Sequence, residues 1–275
     1  FFGGSFTGLS VDLQEQYLKE AYCFVDNGSV SGIRLSTRPD YINRAILELL
    51  KKYGVTTIEL GAQSTSQEVL KESGRGHTVD DIRDASNLIC ENDFELGLQM
   101  MIGLPGDSYE RSIQTAKDIV SLGAGNTRIY PAIVVKQTAL EKLYHEGIYT
   151  PLTLKEAVEW TKDIVNIFEK NNVSILRIGL HPSDELVIGK SLIDGPFHAS
   201  FKEMVMTQIW KEIIDTELQS IDLSSSNKIN ITVSNRQIHY AIGYRQANRE
   251  QLISRGYDVS FERNSSFSQY QLNIG

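Results

Sequence analysis

The sequence predicts an α/β protein built on a parallel sheet. From Phe1 to Ile178, short β-rich runs alternate with amphipathic helical stretches, which indicates six strands separated by helices. Parallel neighbours need a connection long enough to carry a helix, and such crossovers are right-handed. The pattern leaves open an open doubly wound sheet and a full or partial (β/α) barrel. In either architecture we expect functional residues at the carboxyl ends of the strands.

The strands are predicted where apolar and β-branched residues run between turn residues. The six predicted strands are 1–6, 32–35, 56–60, 96–102, 128–135 and 174–178. Apolar residues at helical spacing predict the helices, with Gly28 and Gly54 as stop signals and Thr78 as an N-cap that has Asp81 at N3. The predicted helices are 13–25, 42–53, 68–72, a segment from residue 78, 108–122 and 154–170.

The region from Gly195 onward departs from this rhythm and predicts a small α+β unit. Its predicted elements are a helix at 201–220, an LSSSN linker, a strand at 229–233, a helix at 235–255 and one or two strands at 259–263 and 269–274. We therefore divide the chain into a first domain at 1–194, a connecting helix at 195–220 and the α+β unit at 221–275.

Composition and charge exclude several classes of protein. The chain has 275 residues with 27 basic and 35 acidic side chains, a net charge of −8, which argues against a nucleic-acid binder over its whole surface. From residue 228 onward, however, six basic and three acidic residues give +3. No apolar run approaches the ~18 residues that span a bilayer, so we expect a soluble, cytoplasmic protein without a membrane partner. Two distant cysteines, Cys23 and Cys90, exclude a disulfide framework and a CxxC metal site.

Four groups of candidate binding residues lie at predicted strand ends and in loops. Residues 3–5 form a Gly-Gly-Ser turn that lets backbone groups approach a small polar ligand, although a plain tight turn explains it equally well. Gln63 offers an amide to a ribose hydroxyl or caps the following helix. Arg75 offers a forked donor to a carboxylate or is a solvated loop residue. The pair Arg38 and Asp40 forms either an internal ion pair or a ligand contact.

Patterns typical of hydrolytic or metal catalysis are absent from the sequence. No Ser-His-Asp, paired-carboxylate or phosphate-loop motif stands out, and the five histidines show no metal-ligand spacing. We therefore interpret each histidine as structural. Met100, Met101 and Ile102 are predicted to be core residues, and residues 103–106 a loop that allows a close approach.

Six motifs, in this order and spacing, resemble those of radical S-adenosylmethionine (SAM) enzymes. The motifs are GGSFTG, STRPDYI, ELGAQS, ESGRGHTVDDI, MMIGLPGD and TRIYPAIVVKQTALEKLYHEGIY. The nearest resemblance, from Phe1 to about His181, is to the radical-SAM domain of the Elongator catalytic subunit and its bacterial relatives. Oxygen-independent coproporphyrinogen oxidase is more distant. The resemblance implies a partial (β/α)₆ TIM-like barrel.

The resemblance also implies roles for individual residues. Gly3, Gly4 and Ser5 match the motif that holds the methionine amino group of SAM, with Ser5 in place of the family's acid. Gln63 matches the position that contacts the ribose. Arg75 matches the position that faces the methionine carboxylate.

The adenosine end of SAM is implied at the next strands. Met101 and Ile102 match the strand that lines the adenosine pocket, and the backbone around Pro131 and Ala132 matches the position where adenine is read. The resemblance assigns no catalytic side chain.

The implied cofactors are SAM and a 4Fe-4S cluster, which together generate a 5′-deoxyadenosyl radical, with a flavodoxin or ferredoxin as electron donor. In the family, a first strand and a CxxxCxxC loop precede the strand with the glycine pair, where this sequence begins. We therefore expect the cluster cysteines upstream of Phe1 and no metal ligands within this chain. We predict that this polypeptide is inactive alone.

Two functions remain open from the sequence. The first is a radical SAM enzyme acting on RNA or tRNA, although no acetyltransferase-like domain follows Leu180, so the Elongator uridine chemistry is not implied. Residues 242–246 faintly resemble the GxxG loop of a KH-like RNA-binding unit, with Gln246 in place of the second glycine. The second is a non-catalytic SAM- or RNA-binding module that lacks the cluster cysteines.

Overall fold

The computed structural model describes residues 1–2, 4–184, 186, 189–221 and 227–275. Within these ranges the chain separates into two units, Phe1–Phe197 and His198–Gly275. Gly3 lies outside the described residues, as does most of the LSSSN linker. No helix in the described part of the chain has the length and apolar character needed to cross a membrane.

The first unit alternates helices with strands. Its helices are α1 (Val11–Asp26), α2 (Arg44–Lys52), α3 (Gln67–Glu72), α4 (Val79–Glu91), α5 (Tyr109–Ser121), α6 (Ala139–His145) and α7 (Leu154–Lys170). Its strands are β1 (Ile33–Thr37), β2 (Val55–Gln63), β3 (Glu95–Ile102), β4 (Asn126–Pro131), β5 (Val134–Val135), β6 (Ser174–Ile178) and β7 (Leu192–Asp194). Helices α1 and α2 end just before Gly28 and Gly54, as predicted. Thr78 and Asp81 form the capping box that begins α4.

Five strands form one parallel sheet in the order β1-β2-β3-β4-β6, as the alternating pattern predicts. Fully buried apolar residues such as Leu60 and Leu98 alternate with polar residues such as Glu59 and Gln99. Because successive strand residues point to opposite faces, one face of the sheet is apolar and the other polar. The carboxyl ends of these strands lie along one edge.

The predicted strand at 1–6 is wrong for the residues described. Only Phe1 joins the sheet: its amino group donates to Arg34 O at 2.5 Å and its carbonyl accepts from Ser36 N at 3.1 Å, the pattern of a parallel ladder beside β1. Residues 6–8 then form a 3₁₀ helix. The chain turns away because the Ser5 carbonyl accepts from Gly8 N, a local bond that replaces the ladder.

The predicted strand at 128–135 is divided in two. β4 ends at Pro131, which has no N–H for the ladder, while Ala132 N donates to Ile102 O at 2.9 Å. β5 leaves the parallel sheet and pairs antiparallel with β7. The sheet has five strands instead of the six that periodicity predicts, because residues 1–6 form no strand of their own and β4 still represents the predicted strand at 128–135.

The second unit contains α8 (Phe201–Ser220), β8 (Lys228–Ser234), α9 (Ile238–Ile242), α10 (Ala247–Ser254), β9 (Asp258–Asn264) and β10 (Leu272–Ile274). Its sheet has the order β10-β8-β9, with β8 parallel to β9 and antiparallel to β10. Trp210 is fully buried in the core of this unit. The single helix predicted at 235–255 is wrong, because Gly243, Arg245 and Gln246 all have positive φ and separate α9 from α10.

Candidate functional site

A cavity of about 280 Å³ lies at the carboxyl ends of β1 and β2, where the fold class predicts function. It is lined by Gly4, Ser5, Ser36, Thr37, Arg38, Gly61, Gln63, Arg75, His77 and Gln99. Five residues singled out from the sequence therefore meet around one space: Gly4, Ser5, Arg38, Gln63 and Arg75.

Arg75 is the incompletely paired cation of this cavity. Its Nη2 donates to Met101 Sδ at 2.7 Å, a weak acceptor, and its buried Nε has no hydrogen-bond partner in the described structure. Burial and the charge of Arg38 lower the pKa of the Arg75 guanidinium. Because a guanidinium stays protonated in proteins, this site favours an anionic ligand with a planar oxygen pair.

Arg38, by contrast, is already paired. Its Nε and Nη2 donate to the two carboxylate oxygens of Asp40 at 2.9 and 2.8 Å, and its guanidinium lies over the Tyr41 ring at 5.1 Å. Hydrogen bonding to Asp40 outweighs burial and raises the pKa of Arg38. The ion pair anticipated from the sequence is present, and Arg38 lines the cavity as well.

Gln63, the last residue of β2, lines the cavity in an unusual backbone conformation. Gln63 has φ 66°, a left-handed conformation that is unusual for a residue with a side chain. A Cβ on Gly61 would lie 2.7 Å from Gln63 Nε2, so glycine at 61 gives the amide its room. A Cβ on Gly4 would meet nothing within 4 Å.

Two further polar residues of the cavity, His77 and Gln99, are not among the binding candidates from the sequence, which interprets His77 as structural. His77 Nε2 lies 3.2 Å from Ala62 O, and its buried Nδ1 has no partner among the described residues. Gln99 donates from Nε2 to Ser36 Oγ at 3.2 Å and to Glu59 Oε2 at 2.9 Å. For His77, the signal available in the sequence is its position two residues after Arg75.

The residues expected at the adenosine end lie apart from the cavity lining. Met101 contacts Arg75 and packs against a small buried cluster that includes Ala132. Ile102 is fully buried and pairs in register with Pro131. Since Ala132 N already donates to Ile102 O, this N–H is committed to the fold.

Beneath the cavity, a buried carboxylate holds the polar face of the sheet together. Glu59 is 1% exposed and accepts from Arg128 Nε at 2.7 Å, Arg34 Nη1 at 3.0 Å and Gln99 Nε2 at 2.9 Å. Burial opposes ionisation of Glu59, but these hydrogen bonds outweigh it and lower the pKa of the carboxyl group. Gln99 connects this network to the cavity.

The second unit has a strained loop between α9 and α10. Gly243, Arg245 and Gln246 have φ values of 89°, 52° and 64°. Tyr244 N donates to Thr207 Oγ1 at 2.7 Å, so a side chain of α8 fixes the loop from behind. A cavity of about 300 Å³ is lined in part by Tyr244, Arg245 and Gln246.

Comparison with known families identifies the class of protein. The family model described as the radical SAM superfamily matches residues 1–119, and the model of the radical SAM C-terminal domain matches residues 126–211. Together they cover most of the chain, and the chain belongs to the radical SAM superfamily.

The individual relatives include tRNA uridine(34) acetyltransferases and Elongator complex protein 3. A tRNA uridine(34) acetyltransferase of Methanocaldococcus jannaschii is 28% identical over 177 residues, 57% of this chain and 33% of the relative. Human Elongator complex protein 3 is 31% identical over 131 residues, 46% of this chain and 24% of the relative. The chain therefore spans about a quarter to a third of these relatives.

A solved structure supports the fold. The archaeal Methanocaldococcus infernus Elp3 with an N-terminal deletion has a TM-score of 0.66 and 23% identity, covering 77% of this chain and 53% of that protein. At this identity the similarity shows the fold, and it confirms the expected partial barrel with a parallel sheet.

The two cofactors of the superfamily differ in their fit to these residues. Among the described residues, Arg75 donates to a sulfur acceptor and its buried Nε has no partner, so its guanidinium fits the carboxylate of SAM. The described residues do not fit a 4Fe-4S cluster, because no group of three or more Cys, His, Asp or Glu side chains among them could hold a metal. Cys23 and Cys90 are both exposed, on α1 and α4.

Proposed function

We propose that the first unit binds SAM at the cavity around Arg75 and belongs to a radical SAM enzyme that modifies tRNA. The observation that carries the proposal is the convergence of Gly4, Ser5, Gln63 and the unsatisfied Arg75 guanidinium on one cavity at the carboxyl ends of the strands. The tRNA substrate is supported by the names of the relatives, which modify uridine 34 of tRNA or belong to Elongator.

Each residue has a defined part in binding. Arg75 donates from its guanidinium to the carboxylate of SAM, Gln63 holds the ribose hydroxyls, and the backbone and hydroxyl at Gly4 and Ser5 hold the amino group. The adenosine extends beyond the lining residues toward Met101, which contacts Arg75. Bound SAM supplies the 5′-deoxyadenosyl group used in the chemistry of this superfamily. The protein's contribution is to orient that group and exclude water from it.

Calorimetric titration of the chain with SAM tests this proposal. We expect wild-type protein to bind SAM and Arg75→Ala to bind it at least tenfold more weakly, because a charge-assisted hydrogen bond contributes about 1.5–3 kcal/mol. Arg83→Ala is the matched control, since Arg83 is exposed on α4 and pairs with Asp80 one turn away. Absence of SAM binding by the wild-type chain, or equal affinity of both variants, contradicts the proposal.

We also propose that the loop at residues 243–246 contacts the RNA. Strain at consecutive non-glycine residues is typical of ligand-binding loops, and Arg245 and Gln246 are exposed there. Tyr244 supplies an aromatic face beside Arg245, whose guanidinium lies 5.4 Å from the ring centre. An aromatic ring beside a guanidinium suits single-stranded nucleic acid, which stacks on such groups.

Filter binding of labelled tRNA to the full chain at 50 and 200 mM salt tests the RNA contact. We expect affinity to fall with salt and Arg245→Ala to weaken binding at 50 mM salt more than Arg263→Ala does. Arg263 is exposed on β9, so its replacement removes the same charge from another place. Equal effects of the two variants would exclude the loop as the specific contact.

A further inference from the structure

His77 is a buried residue of the SAM cavity whose hydrogen-bonding capacity is half used. It is 5% exposed and lines the cavity together with Arg75. Its Nε2 lies 3.2 Å from Ala62 O. A carbonyl oxygen can only accept, so Nε2 carries the proton and donates. In the neutral ring Nδ1 must then be a bare acceptor, and this atom is buried without a partner in the described part of the structure.

The surroundings keep this ring neutral. Burial lowers the pKa of His77, and the positive charges of Arg38 and Arg75 act in the same direction. The hydrogen bond to Ala62 and the charge of Asp40 oppose the shift without reversing it. At neutral pH the Nδ1 lone pair is therefore available, while leaving such an acceptor unsatisfied costs stability.

The other lining side chains leave a role for this acceptor. Among the described residues that line the cavity, two carry guanidinium groups and none carries a carboxylate. A ligand with both a carboxylate and an amino group can place the first on Arg75. The three N–H donors of the ammonium group then need more acceptors than the backbone and hydroxyl at Gly4 and Ser5 supply, because Ser5 stands where the sequence resemblance implies an acid.

We propose that His77 Nδ1 accepts a hydrogen bond from the amino group of SAM while Arg75 binds its carboxylate. The inference rests on the proposed SAM site. It makes the Arg-Gly-His segment at 75–77 a clamp for the amino-acid end of the ligand, with one donor and one acceptor two residues apart. It also gives the orphaned Nδ1 its partner and explains why a buried histidine faces two arginines.

Two substitutions separate this role from a purely structural one. His77→Gln retains a distal amide that can donate to Ala62 O but removes the acceptor at the Nδ1 position. His77→Asn retains an acceptor near Nδ1 but is too short to reach Ala62 O. If His77 acts as a ligand acceptor, Asn preserves SAM affinity better than Gln. If His77 only anchors the loop to β2, Gln is the better replacement.

Calorimetry with SAM and with an analogue lacking the amino group completes the experiment. We expect wild-type protein to prefer SAM over this analogue by about tenfold or more, and His77→Gln to lose most of that preference while binding the analogue as wild type does. His145→Asn, an exposed histidine on α6, is the control and should change neither affinity.

The possible failures are distinguishable. If the wild-type chain binds neither compound, the proposed SAM site itself is wrong. If it binds SAM but His77→Gln keeps the full preference for the amino group, or if both His77 variants weaken SAM and the analogue equally, the role of His77 is overturned and the SAM site stands.

Discussion

Arg128 on β4 donates two hydrogen bonds to Glu59 on β2, from Nε to Oε2 at 2.7 Å and from Nη2 to Oε1 at 3.2 Å. Strand β3 lies between β2 and β4, so the two side chains meet across it. Arg34 on β1 donates to the same carboxylate at 3.0 Å. Three strands of the sheet are therefore tied at one buried charge. Gln99, on the strand between, carries the network up to the SAM cavity.

Removing this charge should destabilise the first unit. Glu59→Gln leaves Arg34 and Arg128 without their buried counter-ion, and we expect a loss of about 3–5 kcal/mol in the free energy of unfolding. Urea unfolding followed by the fluorescence of Trp160, in a Trp210→Phe background, reports this unit. Glu95→Gln is the control, because Glu95 is 49% exposed and its ion pair with Arg34 is longer, at 3.7 Å. We expect it to lower the free energy of unfolding by about 1 kcal/mol. Equal losses would show that burial of Glu59 does not set its contribution.

Acidic pH should reduce the difference in stability between the wild-type protein and Glu59→Gln. The folded-state pKa of Glu59 is lowered, so its contribution is present above the unfolded-state pKa and disappears as the pH falls through the folded-state value. We therefore expect the difference in urea midpoint between wild type and Glu59→Gln to be constant near pH 7 and to shrink below about pH 4. A difference that grows on acidification would contradict the assigned shift.

Alanine substitution at the N-cap residue of α4 should cost more stability than at the N-cap residue of α1. Thr78 accepts from Asp81 N in a complete capping box, whereas Ser10 makes no side-chain cap bond. We expect Thr78→Ala to cost about 1 kcal/mol and Ser10→Ala clearly less. The comparison uses the unfolding free energy of the first unit, and a larger loss for Ser10→Ala would refute it.

Replacing Gln246 with glycine in the loop at 243–246 should stabilise the second unit. Gln246 has φ 64°, and relief of a left-handed conformation in a residue with a Cβ is worth about 1 kcal/mol, so Gln246→Gly should raise the unfolding free energy. Trp210 fluorescence in a Trp160→Phe background reports this unit. The same change at Gln251, inside α10, should instead cost about 1 kcal/mol. Destabilisation by both variants would mean that the loop conformation is not strained.

Several features followed from local sequence alone. The helices α1–α5, α7 and α8 and the strands at 33–37, 55–63 and 95–102 were predictable because their apolar periodicity and caps act within a few residues. Helix α6 was not predicted. The arrangement of Arg38 with Asp40 is local in the same way. The resemblance to radical SAM enzymes, carried by short motifs in order, was also visible before any coordinates.

Other features required the tertiary structure because they depend on partners far along the chain. Phe1 joins the sheet through bonds to Arg34 and Ser36, and β5 departs from the sheet to pair with β7, so periodicity misjudged both segments. The backbone break at 243–246 is fixed by Thr207, more than thirty residues earlier. The sequence by itself determined which residue types stand at the carboxyl ends of the strands. Only folding decided that Arg75 Nε and His77 Nδ1 are each buried without a hydrogen-bond partner in the described part of the chain, because desolvation is a property of the packed surroundings.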